Sequence, residues 1–300
     1  MKDDLVNRTF RHWSLWPCLG FLIALSVYPV LQLVPMALST VKITNEGALW
    51  AFTPRRNFEL LFGDEVLRDA IANTLFFVTL SVAIEMVLGF LAALFIACMP
   101  RGRGIACTLM ILPILLPGVA IGSMWKLMYN YDFGLFNQMA AALGFGPVNW
   151  LGDKQLALLS VVVVDIWHWT PFVFLILFAA IEALPRDVLE AARIDGASAW
   201  QTVRHIILPL LGPALAVAAL FRAITAFKAF DQVYLLTSGG PGTATELLSL
   251  HLNRVFFEQN QLGYGAMLSL AIIATIAATL GVGRFAAASA ERRDRARAAP

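Results

Sequence analysis

Charge is scarce in this chain. Of its 300 residues, 14% are Asp, Glu, Lys or Arg, against about 25% in a typical soluble domain. That shortfall argues against a water-facing surface wrapped around one core. Net charge is only +2, and no basic cluster is large enough to suggest nucleic acid. Cysteine is almost absent. Cys18, Cys98 and Cys107 have no partner spacing and fall in or beside apolar runs, which suits small packed residues and leaves no disulfide or metal framework. His12, His168, His205 and His251 are dispersed, so no metal spacing arises from them. The glycine-rich "GGPGTAT" from Gly239 lacks the GK[ST] ending of a phosphate loop and reads as a turn. No nucleophile stands with a base, so the chain is expected to hydrolyse nothing.

Apolar residues fill the space that charge leaves. They make up 59% of the chain, with a mean hydropathy of +0.73. Several runs reach the ~20 residues that cross a bilayer core. Because the runs are continuous rather than alternating, helices satisfy the backbone there better than a barrel. The expected fold is therefore all-α: a polytopic membrane protein with six spans at about 14–38, 71–98, 105–128, 156–182, 209–236 and 264–287. The first follows Lys2, Arg8 and Arg11, but it is long and lacks a small-residue cleavage site, so it reads as a retained helix. With the N-terminus inside, the inner segments carry 13 Lys and Arg and the outer segments 7. That excess predicts both termini in the cytoplasm. The organisation is then a cytoplasmic segment 1–13, a membrane domain 14–287 with an inner loop 183–208, and a basic cytoplasmic tail 288–300. Pro113, Pro117, Pro171 and Pro213 are expected to kink or end helices.

The loop "EAARIDGASAWQTVRHIILP", Glu190 to Pro209, is too polar for lipid and too patterned for a slack linker. Pro185 is placed to open a helix, and Asp187 and Glu190 suit its positive end. Val188, Leu189, Ala192 and Ala191 supply an apolar side. Gly196 is placed to end the helix, and Ser198 to cap a second one near Trp200. Pro209 lies at the start of the next span. Small residues at Ala191 and Ala192 would let another surface approach closely, beside the charge of Glu190. Physics alone leaves two readings, a plain capped connector or a stiff lever that a partner moves.

The spacing Glu190-Ala191-Ala192, Gly196, Ile206, Leu208, Pro209 fits EAA-x3-G-x9-I-x-LP. It resembles the EAA loop of permease subunits of bacterial ATP-binding-cassette importers. "NTLFFV" at Asn73, "LPILLP" at Leu112, "WHWTPF" at Trp167 and "FDQVYLLTSGGPGTAT" from Phe230 look like the carbohydrate-uptake branch. Over about 15–287 the chain is similar to the first permease subunit of maltose-, trehalose- or glycerol-3-phosphate-type systems, without the maltose permease's large outer insertion or extra N-terminal spans. The resemblance implies a type I importer permease fold in the bacterial inner membrane. It implies that Glu190, Ala191, Ala192, Asp195 and Gly196 couple to an ATPase. It also implies the partners: a second related permease, a dimer of ATP-binding subunits, a periplasmic or lipid-anchored solute-binding protein, and a sugar-type substrate. No cofactor is expected on this chain; ATP and magnesium belong to the ATPase subunits.

Five ionisable residues stand out inside the predicted spans: Glu85, Asp165, Arg222, Lys228 and Asp231. Such residues are costly in lipid and usually face a bundle interior or a cavity. Arg222, Thr225, Ala226 and Ala229 recur at helical spacing on the fifth span; Asp165, His168, Trp169 and Phe172 do so on the fourth. Arg222 stands 13 residues past Pro209, a rise of about 20 Å. Trp169 stands 13 residues before Glu182, so the two are predicted at one height. The resemblance places a substrate path on these two faces: His168, Trp169, Phe172, Arg222, Thr225, Ala226 and Ala229. The residues themselves leave open a structural reading, in which Asp165 and Arg222 pair to fix the bundle and Glu85 packs or pairs. Two other functions stand beside these: an ion-coupled transporter using Asp165 and Asp231, and a membrane enzyme using His168 and Asp165. An importer permease for a non-sugar solute is a further alternative.

Overall fold

The computed structural model describes residues 2–44 and 47–298; for 2–12, 14, 15, 44 and 282–298 it describes the backbone alone. Lys2, Arg8 and Arg11 and the arginines of the 288–300 tail therefore have side chains outside the described residues.

The chain opens with α1 (Lys2–Ala37) and turns into an antiparallel hairpin, β1 (Ser39–Thr44) and β2 (Gly47–Phe52), in register from Ser39↔Phe52 to Thr44↔Gly47. The hairpin lies between the first two predicted spans, where Thr40, Val41 and Ile43 are β-branched and favour extended backbone. α2 (Pro54–Gly63) and α3 (Glu65–Ala97) follow. Next come α4 (Arg103–Ile111), a 3₁₀ turn (Leu112–Leu115), α5 (Gly118–Met128), α6 (Leu135–Ala142) and α7 (Leu156–Glu182). The loop region holds α8 (Arg186–Ile194), α9 (Ala199–Thr202), a π-helical turn (Val203–Ile207) and α10 (Leu208–Leu210). The rest is α11 (Gly212–Phe227), α12 (Asp231–Leu236), α13 (Leu248–Asn253), a second π-helical turn (Arg254–Glu258) and α14 (Leu262–Ala298).

Among the described residues, four helices are long and apolar enough to cross a membrane: Trp16–Ala37, Glu65–Ala97, Leu156–Glu182 and Leu262–Gly281. The other two spans are broken. The third, expected as one run over 105–128, bends by 94° between Leu115 and Gly118. Pro113 lies in the first turn of the 3₁₀ segment and Pro117 caps α5 in extended backbone, so neither can carry an α-helical hydrogen bond through the corner. The fifth, expected over 209–236, bends by 67° at Leu211, where Pro213 occupies the first turn of α11. It ends at Phe227, and residues 231–236 form a separate helix. The bend shortens the climb to Arg222 to ten residues from Gly212, about 15 Å rather than 20.

Packing divides the chain into two compact units, residues 1–64 with 252–300 and residues 65–251. In the first, α1, α2 and β1 all pack on α14. Asn57 pins α2 to the end of α1, donating to the carbonyls of Ala37 (2.7 Å) and Ser39 (3.1 Å). Trp16, Phe21, Leu25, Tyr28 and Leu31 on α1 are each more than half exposed, the normal state of side chains whose solvent is lipid. In the second unit, α3 lies along α7. Ala93, Ile96, Val173, Phe174 and Leu177 form their buried seam. Gly89 makes the approach possible: a β-carbon there would sit 2.7 Å from Val173 Cγ1. α11 packs on both helices, and α12 packs on α5. Asn73 and Thr74 of "NTLFFV" anchor the glycine-rich segment after α12. Asn73 donates to the carbonyls of Thr243 (2.8 Å) and Glu246 (3.1 Å), while Thr74 accepts from Leu248 N–H (2.9 Å).

Candidate functional sites: the capped loop and the buried charge cluster

The loop after α7 is stiff because both of its turns are hydrogen-bonded. α8 ends in a Schellman arrangement. Gly196 takes φ +76°, a left-handed conformation that costs a residue with a β-carbon. Its N–H donates to Arg193 O (3.1 Å), and Ala197 N–H donates to Ala192 O (2.9 Å), the bond pair that defines the motif. Two residues on, Ser198 and Gln201 form a reciprocal capping box: Ser198 N–H to Gln201 Oε1 at 2.8 Å, Gln201 N–H to Ser198 Oγ at 3.3 Å. Pro185 precedes α8 as its cap rather than standing inside its first turn, since Arg186 is the first helical residue.

Of the apolar side read for α8, Ala192 is buried and Leu189 half-buried, while Val188 and Ala191 face outward. Glu190, Asp195 and Gly196 are exposed as well. Ile194 (86% exposed) and Trp200 (67%) flank the glycine turn. The sequence reading did not single out their exposure. Where α7 ends, just before the loop, Glu182 meets Arg103 at 2.5 Å, and Arg103 also lies over the Phe178 ring, 4.7 Å from its centre.

The second site lies between α3, α7, α11 and α12. Arg222 is fully buried, as are Glu85 and Asp165. Its guanidinium reaches Glu85 through Nη2 (2.9 Å to Oε1) and Nε (2.5 Å to Oε2). Nη2 also pairs with Asp165 Oδ2, and Nη1 donates to Thr225 Oγ1 at 3.1 Å. Gln232 Nε2 donates to the other oxygen of Asp165 at 2.7 Å, and Gln232 Oε1 faces His168 Nδ1 at 3.3 Å. Gln232 thus stands between His168 and Asp165, an arrangement that separates the two groups an acid–base pair would need in contact. Burial of one cation with two carboxylates is tolerable only when every lone pair and proton is engaged.

The aromatic part lies against the same arginine. Trp169 is half-buried with its ring centre 5.0 Å from the guanidinium carbon. Phe172 meets Trp169 edge-on at 6.0 Å, and Phe221 approaches Phe172 at 6.2 Å. Of the expected path residues, the structure gathers His168, Trp169, Phe172, Arg222 and Thr225 and buries Ala226 beside them. Ala229 does not share the helical face, because α11 has already ended at Phe227; its carbonyl accepts from Ser249 Oγ instead. Lys228 and Asp231 also leave the span. Both are exposed at the break between α11 and α12, and Asp231 lies against Gly118 of α5. Glu85 and Asp165 are the carboxylates that meet Arg222; Asp231 is not among its partners. Gln232 and Phe221 were missed. Gln232 follows Asp231 by one residue and carries no charge to mark it within a mostly apolar stretch.

This architecture is that of importer membrane subunits. The chain superimposes on a bacterial ABC transporter involved in the import of the acidic polysaccharide alginate, with a TM-score of 0.77 at 21% identity, covering 94% of this chain and 97% of that one. Its sequence settles the family. Residues 60–295 match the binding-protein-dependent transport system inner membrane component, and the chain belongs to that family. It is accordingly a multi-pass permease of the inner membrane. Among its relatives are a trehalose/maltose transport system permease of Thermococcus litoralis, 41% identical over 71% of this chain and 73% of that protein. A sulfoquinovosyl glycerol transport system permease of Agrobacterium fabrum is 30% identical over 90% and 88%.

Proposed function

We propose that this chain forms one half of the pore of an ATP-driven importer for a neutral saccharide, with a second related permease as the other half. Two separate ATPase subunits, holding ATP and magnesium, bind the loop on the cytoplasmic side. A solute-binding protein delivers the sugar from outside. The excess of basic residues in the inner segments supports this orientation. The observation that carries the coupling role is the doubly capped loop, which holds Glu190, Ala191, Asp195 and Gly196 outward with Ile194 and Trp200 at their sides. A rigid lever transmits a displacement that a slack linker would absorb. For the lever to switch the pore, the ATPase dimer must bind the loop more tightly in one conformation than in the other. Moving a pore from 1:99 to 99:1 takes a preference of about 10⁴-fold, or about 5.5 kcal/mol.

The relatives named above carry a neutral and an anionic sugar class in their names. The charge arrangement here favours the neutral one. Arg222 is engaged by two carboxylates and offers no free cation to an anionic ligand. The half-buried Trp169 and Phe172 provide aromatic surface, which suits the apolar face of a sugar ring. A tagged chain should bring down a second permease and an ATPase. Uptake of the sugar that stabilises the partner binding protein should weaken about tenfold in Trp169→Ala, with the binding protein's own affinity unchanged. Recovery of the chain alone, or unchanged uptake in that variant, would sink the pore reading or the path reading respectively.

A further inference from the structure

A second cleft lies in the unit formed by residues 1–64 and 252–300. Its volume is about 130 Å³, and it is lined by residues that include Lys42, Arg56, Asn57, Leu60, Gln261 and Tyr264. That is room for about four waters and far less than the 300–1,000 Å³ of ordinary small-molecule pockets. A phosphate-sized group fits there.

None of the lining residues is acidic. Arg55, one residue away, is taken by Glu59 at 2.7 Å, whereas Lys42 and Arg56 form no ion pair among the described residues. Asp64 accepts from Tyr264 Oη at 2.5 Å and does not line the cleft. The frame is fixed. Asn57 is buried and bonded to Ala37 and Ser39, Thr40 and Thr53 share a hydroxyl bond of 2.6 Å, and Gly263 is pressed against Ser39 so closely that a β-carbon would lie 2.0 Å from its carbonyl oxygen.

The cleft's place along the chain names its occupant. The hairpin starts two residues after the first span ends at Ala37, and Leu262 begins the last span, so the cleft stands where both meet the membrane surface. The surrounding surface is apolar and aromatic: Ile43 (71%), Trp50 (51%), Phe52 (74%) and Phe62 (73%) are exposed. Aromatic rings beside two cations that have no ion pair among the described residues, at a span end, match the headgroup layer.

We propose that this cleft holds the phosphate of an anionic phospholipid, clasped by Lys42 and Arg56 at the bilayer surface. The test uses the purified complex with its co-purifying subunits, in native mass spectrometry against phosphatidylglycerol, phosphatidylcholine and inorganic phosphate. The wild type should retain phosphatidylglycerol about tenfold over phosphatidylcholine. The double variant Lys42→Gln/Arg56→Gln should lose that preference, and Lys42→Arg/Arg56→Lys should keep it. Equal retention by wild type and the Gln variant overturns the proposal, as does displacement of the lipid preference by inorganic phosphate alone. A photocrosslinker at Phe52 should capture lipid. Capture of the solute-binding protein or the second permease would reassign the surface to a protein partner.

Discussion

Arg222 carries the largest concentrated energy at the scale of a single residue. One guanidinium serves two carboxylates in a fully buried cluster. Removing it leaves two buried anions side by side, and breaking a buried pair costs about 3–5 kcal/mol. Arg222→Ala should therefore lower the melting temperature of the detergent-solubilised protein steeply and reduce its yield. Glu85→Gln leaves one cation facing one carboxylate, so its loss should be clearly smaller. The double variant Glu85→Gln/Asp165→Asn strands the arginine and should return to the severity of Arg222→Ala. A fluorescence-detected thermal series over the three variants gives the ranking; a wild-type melting temperature for Arg222→Ala would refute it. The cluster was half legible in the sequence. Ionisable residues in apolar runs announced themselves, and the Asp165–Arg222 pair was one of the open readings. The place of Glu85 in it was not legible, because 137 residues separate it from Arg222 and no local spacing encodes their meeting.

Among the elements, the loop was read almost to the residue, whereas in the broken spans prolines marked the two corners but not their angles. Gly196 and Ser198 declare themselves because turn and cap chemistry is local: a left-handed φ wants glycine, and a free N–H wants a hydroxyl. The corner between α4 and α5 depends on more. Pro113 and Pro117 permit the break, but the angle it takes is set in packing, where Gly118 and Gly122 let α12 come close. A β-carbon at Gly122 would lie 2.8 Å from Leu235 Cβ. The end of α11 at Phe227 has no proline or glycine to mark it. The loop's chemistry gives a direct test. Nothing lies within 4 Å of where a Gly196 β-carbon would stand, so Gly196→Ala meets no clash and pays only for left-handed backbone, about 1–2 kcal/mol. Asparagine visits that region more readily, so Gly196→Asn should lose less. Ser198→Ala removes the cap and should cost about 1 kcal/mol. Amide hydrogen exchange over residues 194–203 should quicken in the order Asn, then Ala at position 196. Equal exchange in all of them would mean that the turn is not what holds the two helices.

For the whole molecule the question is whether the lever and the pore are one machine. The two candidate sites belong to one compact unit, residues 65–251, and α7 connects them directly. It contributes Asp165, His168 and Trp169 along its length and ends at Glu182, immediately before the loop. Rigid helices carry motion along their axes, so displacement of the loop is expected at the charge cluster about 25 Å along α7. The clasp between Arg103 and Glu182 ties the end of that helix to α4, so a pull on the loop reaches more than one span. Coupling of this kind is an energy difference between states and should be visible in the partner as well as in transport, because linkage is reciprocal. In reconstituted complexes, Glu190→Lys reverses a charge on the exposed face without touching the core. It should leave insertion and basal ATP hydrolysis intact. Stimulation of hydrolysis by the sugar-loaded binding protein should fall about tenfold or more, and uptake should fall with it. Trp169→Ala behaves differently if it acts in the path: it should raise the sugar concentration needed for uptake while stimulation at saturating binding protein stays near normal. Full stimulation in Glu190→Lys with uptake abolished would place the fault in the pore and remove the loop from the coupling step.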